Sequence, residues 1–476
     1  MNNSKVKVLQ VTQNPEAVIA SAGRMSTTKG TAFSIYEKSL ERNQADNLKT
    51  INNVLESGHT STLEHVTVSL AFNNVSMMVE QFMIEYRLAA FTVKSRRYVD
   101  FGSLGHLHPY FDQYDENGEE LARLYEECMD YLYSEYNEFT KAVPVEDARF
   151  LLPHAFCSNF YCTVNLREFC KIVYDMVYGD TERNNVELSA LGIFLLEWAR
   201  KKLPYIYTYI TGLYESYSDA EIKKRIVEKK LLNMAEKNRL AGMQEESIKT
   251  EEDRNKDSVE ILESTKNPEE TVCRALFFRL GISQWMDEKD ESVQKEVIKS
   301  MISAPVFRRR ELEQAVFRIL FHEMSLPEIT HITRHRMHSL LLPSYLSSCS
   351  YDRYIMPQSF KDAGLEGRYR DAFIKTKECR DKMLALGFNK RDCSYLLLSG
   401  MTLPVQTTMN ANELYTFFRL RSCRRAQWEI QNHASELLKK LRKEHPVMFS
   451  LYGPSCVVTG KCPEGNKSCG CPPNFD

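Results

Sequence analysis

Arg334-His335-Arg336, with seven residues between it and Ser344, sets two permanently charged guanidiniums around an imidazole, with a hydroxyl nearby. Such a set can grip an anionic or electron-rich planar ligand, because arginine offers a rigid fork of donors and histidine two ring nitrogens. The competing reading is a solvated basic patch. A weaker copy of the same spacing argues for a site: Glu85-Tyr86-Arg87, seven residues, then Ser95. Each copy keeps something the other lacks. The first continues as Ser95-Arg96-Arg97-Tyr98, a hydroxyl and charged donors suited to a phosphate, where the second has Ser344-Tyr345-Leu346-Ser347.

The same division recurs downstream. Arg149 stands in an apolar run, Ala148 to Pro153, where an arginine is expected to be paired or to meet an anion. Its counterpart in the second half is Ser394. Asn410 is followed by Arg421 and then Arg424-Arg425-Ala426-Gln427-Trp428-Glu429. The first half keeps Asn165 but has Met176-Val177-Tyr178-Gly179 in place of the arginine. His59-Thr60-Ser61-Thr62-Leu63-Glu64-His65 is whole only in the first half, since Arg308 to Gln314 keeps Glu313 alone. With its histidines six apart across a loop and a helix start, hydrogen bonding suits it better than metal ligation. Cys456, Cys462, Cys469 and Cys471 in the Gly/Pro-rich tail could hold Zn²⁺ and so fold a segment without a core, or stay as reduced thiols.

These residues need elements to carry them, and an internal repeat supplies two sets. Val6 to Glu16 returns as Val259 to Glu269, each an alternating strand and then an Asn-Pro turn opening a helix. Thr163-Val164-Asn165 matches Thr408-Met409-Asn410 in the same order along the chain. The expected order in each copy is strand, helix, strand, a helix bearing the motif, then a helical region. Thr67–Phe72 alternates like a half-buried strand. Met77–Arg87 and Ile329–Met337 have helical spacing, which on a continuous helix would turn Arg334 and Arg336 to different faces. Segments 186–202 and 426–443 read as long helices. The class is α+β. The expected organisation is a first copy at 1–215, a charged helix and linker at 216–257, a second copy at 258–452 and a Cys-rich tail at 453–476.

Composition bounds the rest. The 476-residue chain suits two domains, and 62 Lys+Arg against 64 Asp+Glu leave no global field favouring nucleic acid or a membrane surface. No apolar run reaches a membrane span, and the N-terminus lacks an apolar core with a cleavage site. Thirteen cysteines, an odd number, fit reduced thiols in the cytoplasm.

Together the motifs resemble one family, the flavin-dependent thymidylate synthases. Its signature is Arg-His-Arg, seven residues, then Ser, with an upstream His-x-Ser/Thr-x-x-Glu-His and a downstream Arg-Ala-x-x-x-Ala-Gln-Trp-Glu-like helix. The resemblance implies two tandem copies of that fold forming a pseudo-dimer, FAD as cofactor, and conversion of dUMP to dTMP with methylenetetrahydrofolate and NADPH. It implies that Ser95, Arg96, Arg97 and Arg149 clamp the nucleotide, and that Arg334 and Arg421 meet the pyrimidine, with Arg421 catalytic. His59, Ser61, Glu64, Arg334, His335, Arg336 and Asn410 would hold the flavin. The family's homotetramer implies a homodimer of fused pseudo-dimers, each chain having one composite site and one decayed site. The decayed one would pair Ser344, Leu346 and Ser394 with Glu85 and Met176. Val93 and Leu342 stand where the family has a Glu, and Asn412 where it has an Arg, kept as Arg167 in the first copy. A second register, Ser350-Tyr351-Asp352-Arg353-Tyr354, breaks the seven-residue spacing. These departures leave open a nucleotide-binding pseudoenzyme, or a related enzyme transferring another group such as hydroxymethyl.

Overall fold

A computed structural model describes residues 4–179, 185–241, 258–282, 289–305 and 308–473. The chain forms two compact units, Met1–Ile248 with Pro357–Leu398, and Lys249–Met356 with Ser399–Asp476. Among the described residues no helix is long and apolar enough to cross a membrane.

Each unit is built on a four-stranded antiparallel sheet. In the first, β1 (Lys5–Val11), β2 (Thr67–Val75), β3 (Ala89–Val93) and β4 (Ser158–Asn165) lie in the order β1-β2-β4-β3. In the second, β5 (Val259–Ser264), β6 (Val316–Ser325), β7 (His338–Leu341) and β8 (Thr402–Asn410) repeat it as β5-β6-β8-β7. Even the irregularities match. Register shifts fall between Val8 and Gln10 and between Ile261 and Glu263, and again between Phe72 and Val75 and between Phe321 and Met324. Chance would not place bulges at the same points of two sheets, because each bulge locally resets the ladder.

The expected strands at 6–11, 67–72 and 259–264 form, and helices open at Pro15 and Pro268 after the Asn-Pro turns. Strands β3, β4, β7 and β8 lie where the sequence suggested helical structure. In β4 the buried positions are Ser158, Phe160, Cys162 and Val164, so part of the inward face is not aliphatic. Pro404 inside β8 weakens the strand signal further. Along β2, by contrast, Val68, Leu70 and Phe72 are fully buried at period two, each stabilising the core by about 1.5–3 kcal/mol.

The first unit contains a segment of the second sequence copy. Helix Glu366–Ala385 packs along helix Gly118–Phe139, with Arg368 Nε and Nη2 donating to the two Glu135 carboxylate oxygens at 3.0 and 2.9 Å. The Cys379 thiol donates to Leu124 O at 3.4 Å, and Phe360 meets Phe139 edge-on at 4.9 Å. Residues 153–155 run beside 395–398, where His154 N–H donates to Leu397 O at 2.7 Å and Ala155 N–H to Tyr395 O at 3.2 Å. Helix Pro204–Ala241 leaves the core after Tyr205, Ile206 and Ile210 and is mostly exposed from Glu215 to Met234. Residues 242–257, the expected linker, lie outside the described residues.

Candidate functional site

The helices that lead into the two motifs are held identically. Ser76 caps Met77–Ile84 and Ser325 caps Leu326–Ile332, each hydroxyl accepting the N–H three residues on. A buried carboxylate then seizes each cap. Glu187 Oε1 accepts Ser76 N–H at 3.0 Å, and Glu429 accepts Ser325 N–H at 2.8 Å and its hydroxyl at 2.5 Å. Glu429 of the Gln-Trp-Glu motif is thus a tie that orients the motif helix.

That helix stops at Ile332, one residue before its Thr333 cap. Arg334-His335-Arg336 therefore follows an irregular turn rather than a helix. The helical expectation is corrected here: Arg334 and Arg336 are both exposed and His335 lies buried between them. His335 Nδ1 meets Glu413 Oε1 at 2.8 Å, and Arg421 Nε–H donates to His335 Nε2 at 3.0 Å. A guanidinium can only donate, so Nε2 accepts and the proton sits on Nδ1, facing Glu413. Burial lowers the His335 pKa; Glu413 opposes that shift and the charge of Arg421 adds to it. The ring is held neutral. Arg421 Nη2 also donates to His331 O at 3.1 Å, so the guanidinium is anchored at two points on the motif segment.

Helix Ala411–Arg421 delivers both partners of this chain, Glu413 in its first turn and Arg421 in its last. Asn410 caps it, its Oδ1 accepting Glu413 N–H at 2.8 Å. Behind the motif helix, Glu328 Oε1 lies 2.6 Å from His433 Nδ1. Burial pushes the Glu328 and Glu429 carboxyls well up and the His433 imidazole down, so this cluster rests neutral.

The first copy holds other chemistry at the same points. Tyr86 replaces His335 and donates its hydroxyl to Asp175 Oδ2 at 2.5 Å. Glu85 replaces Arg334 and accepts from Gln81 Nε2 at 3.2 Å. Buried Met176 replaces Arg421. After β3, however, the chain turns through the expected donors. Ser95 Oγ accepts Arg97 N–H at 3.3 Å. Arg97 faces Glu146 with Nε 2.6 Å from Oε1 and Nη2 3.2 Å from Oε2. Buried Arg149 donates from Nε to Glu146 O at 2.9 Å, with Nη2 3.8 Å from Oε1. Ser95, Arg97 and Arg149 are thus brought together around Glu146. Arg96 turns inward, pairing with Glu80 at 3.0 Å and lying over the Phe156 ring, while Glu80 also accepts from Ser158 Oγ.

The chain meets known proteins at this point. The family model described as "Thymidylate synthase complementing protein" matches residues 7–205 and again 260–447. The chain belongs to that family. Among its relatives, a flavin-dependent thymidylate synthase of Clostridium tetani is 29% identical over 233 residues, covering 44% of this chain and 92% of the relative. The Geobacter sulfurreducens protein of that name is 30% identical over 222 residues, covering 44% and 93%. The one from Saccharolobus solfataricus is 29% identical over 209 residues, covering 42% and 78%. Among solved structures, a UMP/dUMP methylase PolB from Streptomyces cacaoi bound with 5-Br dUMP has a TM-score of 0.38 at 16% identity, covering 44% of this chain and 96% of that one. That likeness is too loose to bear on substrate.

Other expected residues fall outside these clusters. Exposed His59 precedes the turn Thr60–His65, which carries exposed Ser61 and Glu64, and Glu64 pairs with Arg167 at 2.6 Å. In the second copy, Arg353 Nη2 donates to Ser348 O at 2.6 Å, so the alternative register uses its arginine to tie its own backbone. The tail offers no support for the zinc alternative. Among the described residues no three of Cys456, Cys462, Cys469 and Cys471 converge, because a short helix at Ser455–Thr459 and successive turns spread them apart.

The sequence reading missed Glu413, Glu146, Glu80 and Glu187, the carboxylates that position the basic groups. One signal was available, since Asn165-x-x-Glu168 and Asn410-x-x-Glu413 both have the spacing of a capping box.

Proposed function

We propose that this family member is a flavin-dependent thymidylate synthase, methylating dUMP to dTMP with FAD, methylenetetrahydrofolate and NADPH. Its working site would be composite, formed in a pseudo-dimer of the two copies. Ser95, Arg97 and Arg149 of the first copy would hold the nucleotide phosphate, displacing the Glu146 carboxylate from between the two guanidiniums. Arg96, already paired with Glu80, would anchor that loop. Arg334 and Arg421 of the second copy would face the pyrimidine. The observation that carries this reading is the complementary survival of the two half-sites. The Glu413–His335–Arg421 chain persists only in the second copy, and the Ser95–Arg97–Arg149 cluster only in the first.

The donor set suits FAD. Exposed Arg334 and Arg336 flanking a neutral buried imidazole offer positive charge for a diphosphate, and Asn410 lies on the neighbouring helix cap. Reduced flavin, when bound, supplies hydride equivalents for the new methyl group. Arg421, held by His335 and the His331 carbonyl, would polarise the N3/O4 edge of the ring as negative charge develops there. Rigid placement is what makes that charge effective, since no reorganisation is needed during reaction. His59, Ser61 and Glu64 would contribute to the flavin side from their exposed turn. Two such chains would associate as a homodimer.

Val93 and Leu342, standing where the family has Glu, favour as a second reading a related pyrimidine-nucleotide enzyme such as a hydroxymethylase, or a pseudoenzyme. Purified protein should be yellow, bind one dUMP per chain and release tritium from C5-labelled dUMP. Colour and binding without tritium release would replace methylation with the pseudoenzyme reading, and release accompanied by a 5-hydroxymethyl product instead of dTMP would replace it with the hydroxymethylase.

A further inference from the structure

We propose that His106, His108 and Glu126 form a divalent transition-metal site of the Zn²⁺ type, fastening the far end of the anion-binding loop to helix Gly118–Phe139. Among the described residues these three are the group whose ligand atoms all lie within 4.8 Å of one another. His106 Nε2 is 3.2 Å from Glu126 Oε2, and His108 Nδ1 is 2.6 Å from Glu126 Oε1. The ring centroids of the two histidines are 4.6 Å apart.

The backbone builds this arrangement. Gly105 takes a positive φ of 74°, and the chain then runs extended beside residues 155–157. Leu107 N–H donates to Ala155 O at 2.8 Å and Cys157 N–H to Gly105 O at 3.0 Å. Alternation along an extended chain puts His106 and His108 on one side and buries Leu107 on the other. Two tyrosines of the helix lock the segment against it: Tyr133 donates to Gly105 O at 2.8 Å and Tyr125 to Leu107 O at 2.7 Å. Glu126 follows Tyr125 on that helix and supplies the third donor.

Two imidazoles and a carboxylate are a donor set zinc favours, and three protein ligands leave the fourth position to water. His108 and Glu126 side chains are 46% and 38% exposed, which gives that water access. Bonds of about 2.0–2.1 Å in a tetrahedron set donor atoms roughly 3.3 Å apart. The His106–Glu126 pair already matches at 3.2 Å, and His108, at 2.6 Å from the other carboxylate oxygen, would move outward to admit the ion. The second copy has Tyr354 and Met356 at the equivalent places, since Ile355 N–H donates to Gly400 O as Leu107 N–H does to Ala155 O, so the two-imidazole set is a property of the first copy alone. The segment 94–108 begins with Ser95 and Arg97, and a metal at its end would shorten the excursions of that loop. This site is independent of the methylation reading.

The test uses the full chain, stripped with chelator and titrated with Zn²⁺ against a chromogenic chelator, and with Co²⁺ followed by visible absorption. One equivalent per chain is expected, with a dissociation constant in the micromolar range or below. His108→Ala and Glu126→Gln should each weaken it by more than the roughly 10–100-fold that loss of an outer-shell partner costs. Cys469→Ser with Cys471→Ser should leave it unchanged. Zn²⁺ should raise the melting temperature of the parent and not of Glu126→Gln, which keeps a hydrogen-bonding amide and so reports on charge and ligation rather than folding. Absence of stoichiometric binding in the parent overturns the proposal. So does undiminished binding in both ligand variants, or loss only in the cysteine variant.

Discussion

Ser76 and Ser325 cap equivalent helices, and Glu187 and Glu429 grip those caps in the same way, yet the chemistry around them differs within one turn. Three residues past the cap, Val79 stands in one copy and Glu328 in the other. Four residues past the gripping glutamate, Leu191 corresponds to His433. All four are buried. At these two positions one interior is apolar and the other holds a hydrogen-bonded acid and imidazole. At the helix end, Tyr86 bonded to Asp175 replaces the chain from Glu413 through His335 to Arg421. Buried polar groups are costly unless fully satisfied, so their retention in one copy only marks where an arginine must be held still. The loop after β3 shows the opposite bias, with Arg97 and Arg149 kept where the second copy has Leu346 and Ser394.

The largest test of this contrast sets Arg421→Ala against Met176→Ala. The first should lower dTMP formation by about 10²–10³-fold, the usual loss for a preorganised charge at a reacting edge. The second should cost about 2–5 kcal/mol of stability in a denaturant melt while leaving turnover of the folded protein within roughly threefold. Equal losses of turnover would erase the difference between the copies. Next, Arg97→Ala should weaken dUMP binding by about 1.5–3 kcal/mol in a calorimetric titration, whereas Leu346→Ala should leave it unchanged.

A smaller effect concerns pH. The folded pKa of His335 lies below its ordinary value, so its contribution to stability is present above about pH 6.5 and is lost as pH falls through the lowered folded value. Each pH unit within that window removes at most ~1.4 kcal/mol. His335→Gln, which can still accept from Arg421 and donate to Glu413, should abolish this component. His154, pushed down to about 3 by burial, and His433 have the same sign and cancel in the difference between the two proteins. Tyr86, whose pKa is raised by burial and then by Asp175, titrates nowhere near this range; Tyr86→Phe acts on the acid limb only through Asp175, whose carboxyl is raised by burial and lowered by the Tyr86 hydrogen bond. A variant profile parallel to the parent's would remove His335 from the acid response. Smallest of all, Ser344→Ala should change dUMP affinity by less than about 0.5 kcal/mol, while Ser95→Ala, which removes the acceptor for Arg97 N–H, should cost about 1 kcal/mol.

Much of this was legible in the residues. The Asn-Pro turns, the strands at either end of the repeat and the arginines divided between copies follow from local periodicity and spacing, which a linear chain records directly. Strands β4 and β8 escaped notice because polar, cysteine and proline positions break the aliphatic alternation by which strands are read. The different roles of Arg96 and Arg97 were illegible for a different reason. Neighbouring arginines in Ser95-Arg96-Arg97 look alike in sequence, and only Glu80 and Glu146, at distant positions, send one inward and bring the other toward Arg149.

By itself the sequence determined that there are two copies, which basic groups each retains, and which family they belong to, because repeats and motif spacings survive in one dimension. Tertiary structure decided which carboxylate faces which base, that Arg334 and Arg336 share an exposed stretch with His335 buried between them, and that residues 357–398 fold with the first unit. Those outcomes depend on long-range packing and on satisfying buried charge, and neither is written in the spacing of neighbours along the chain.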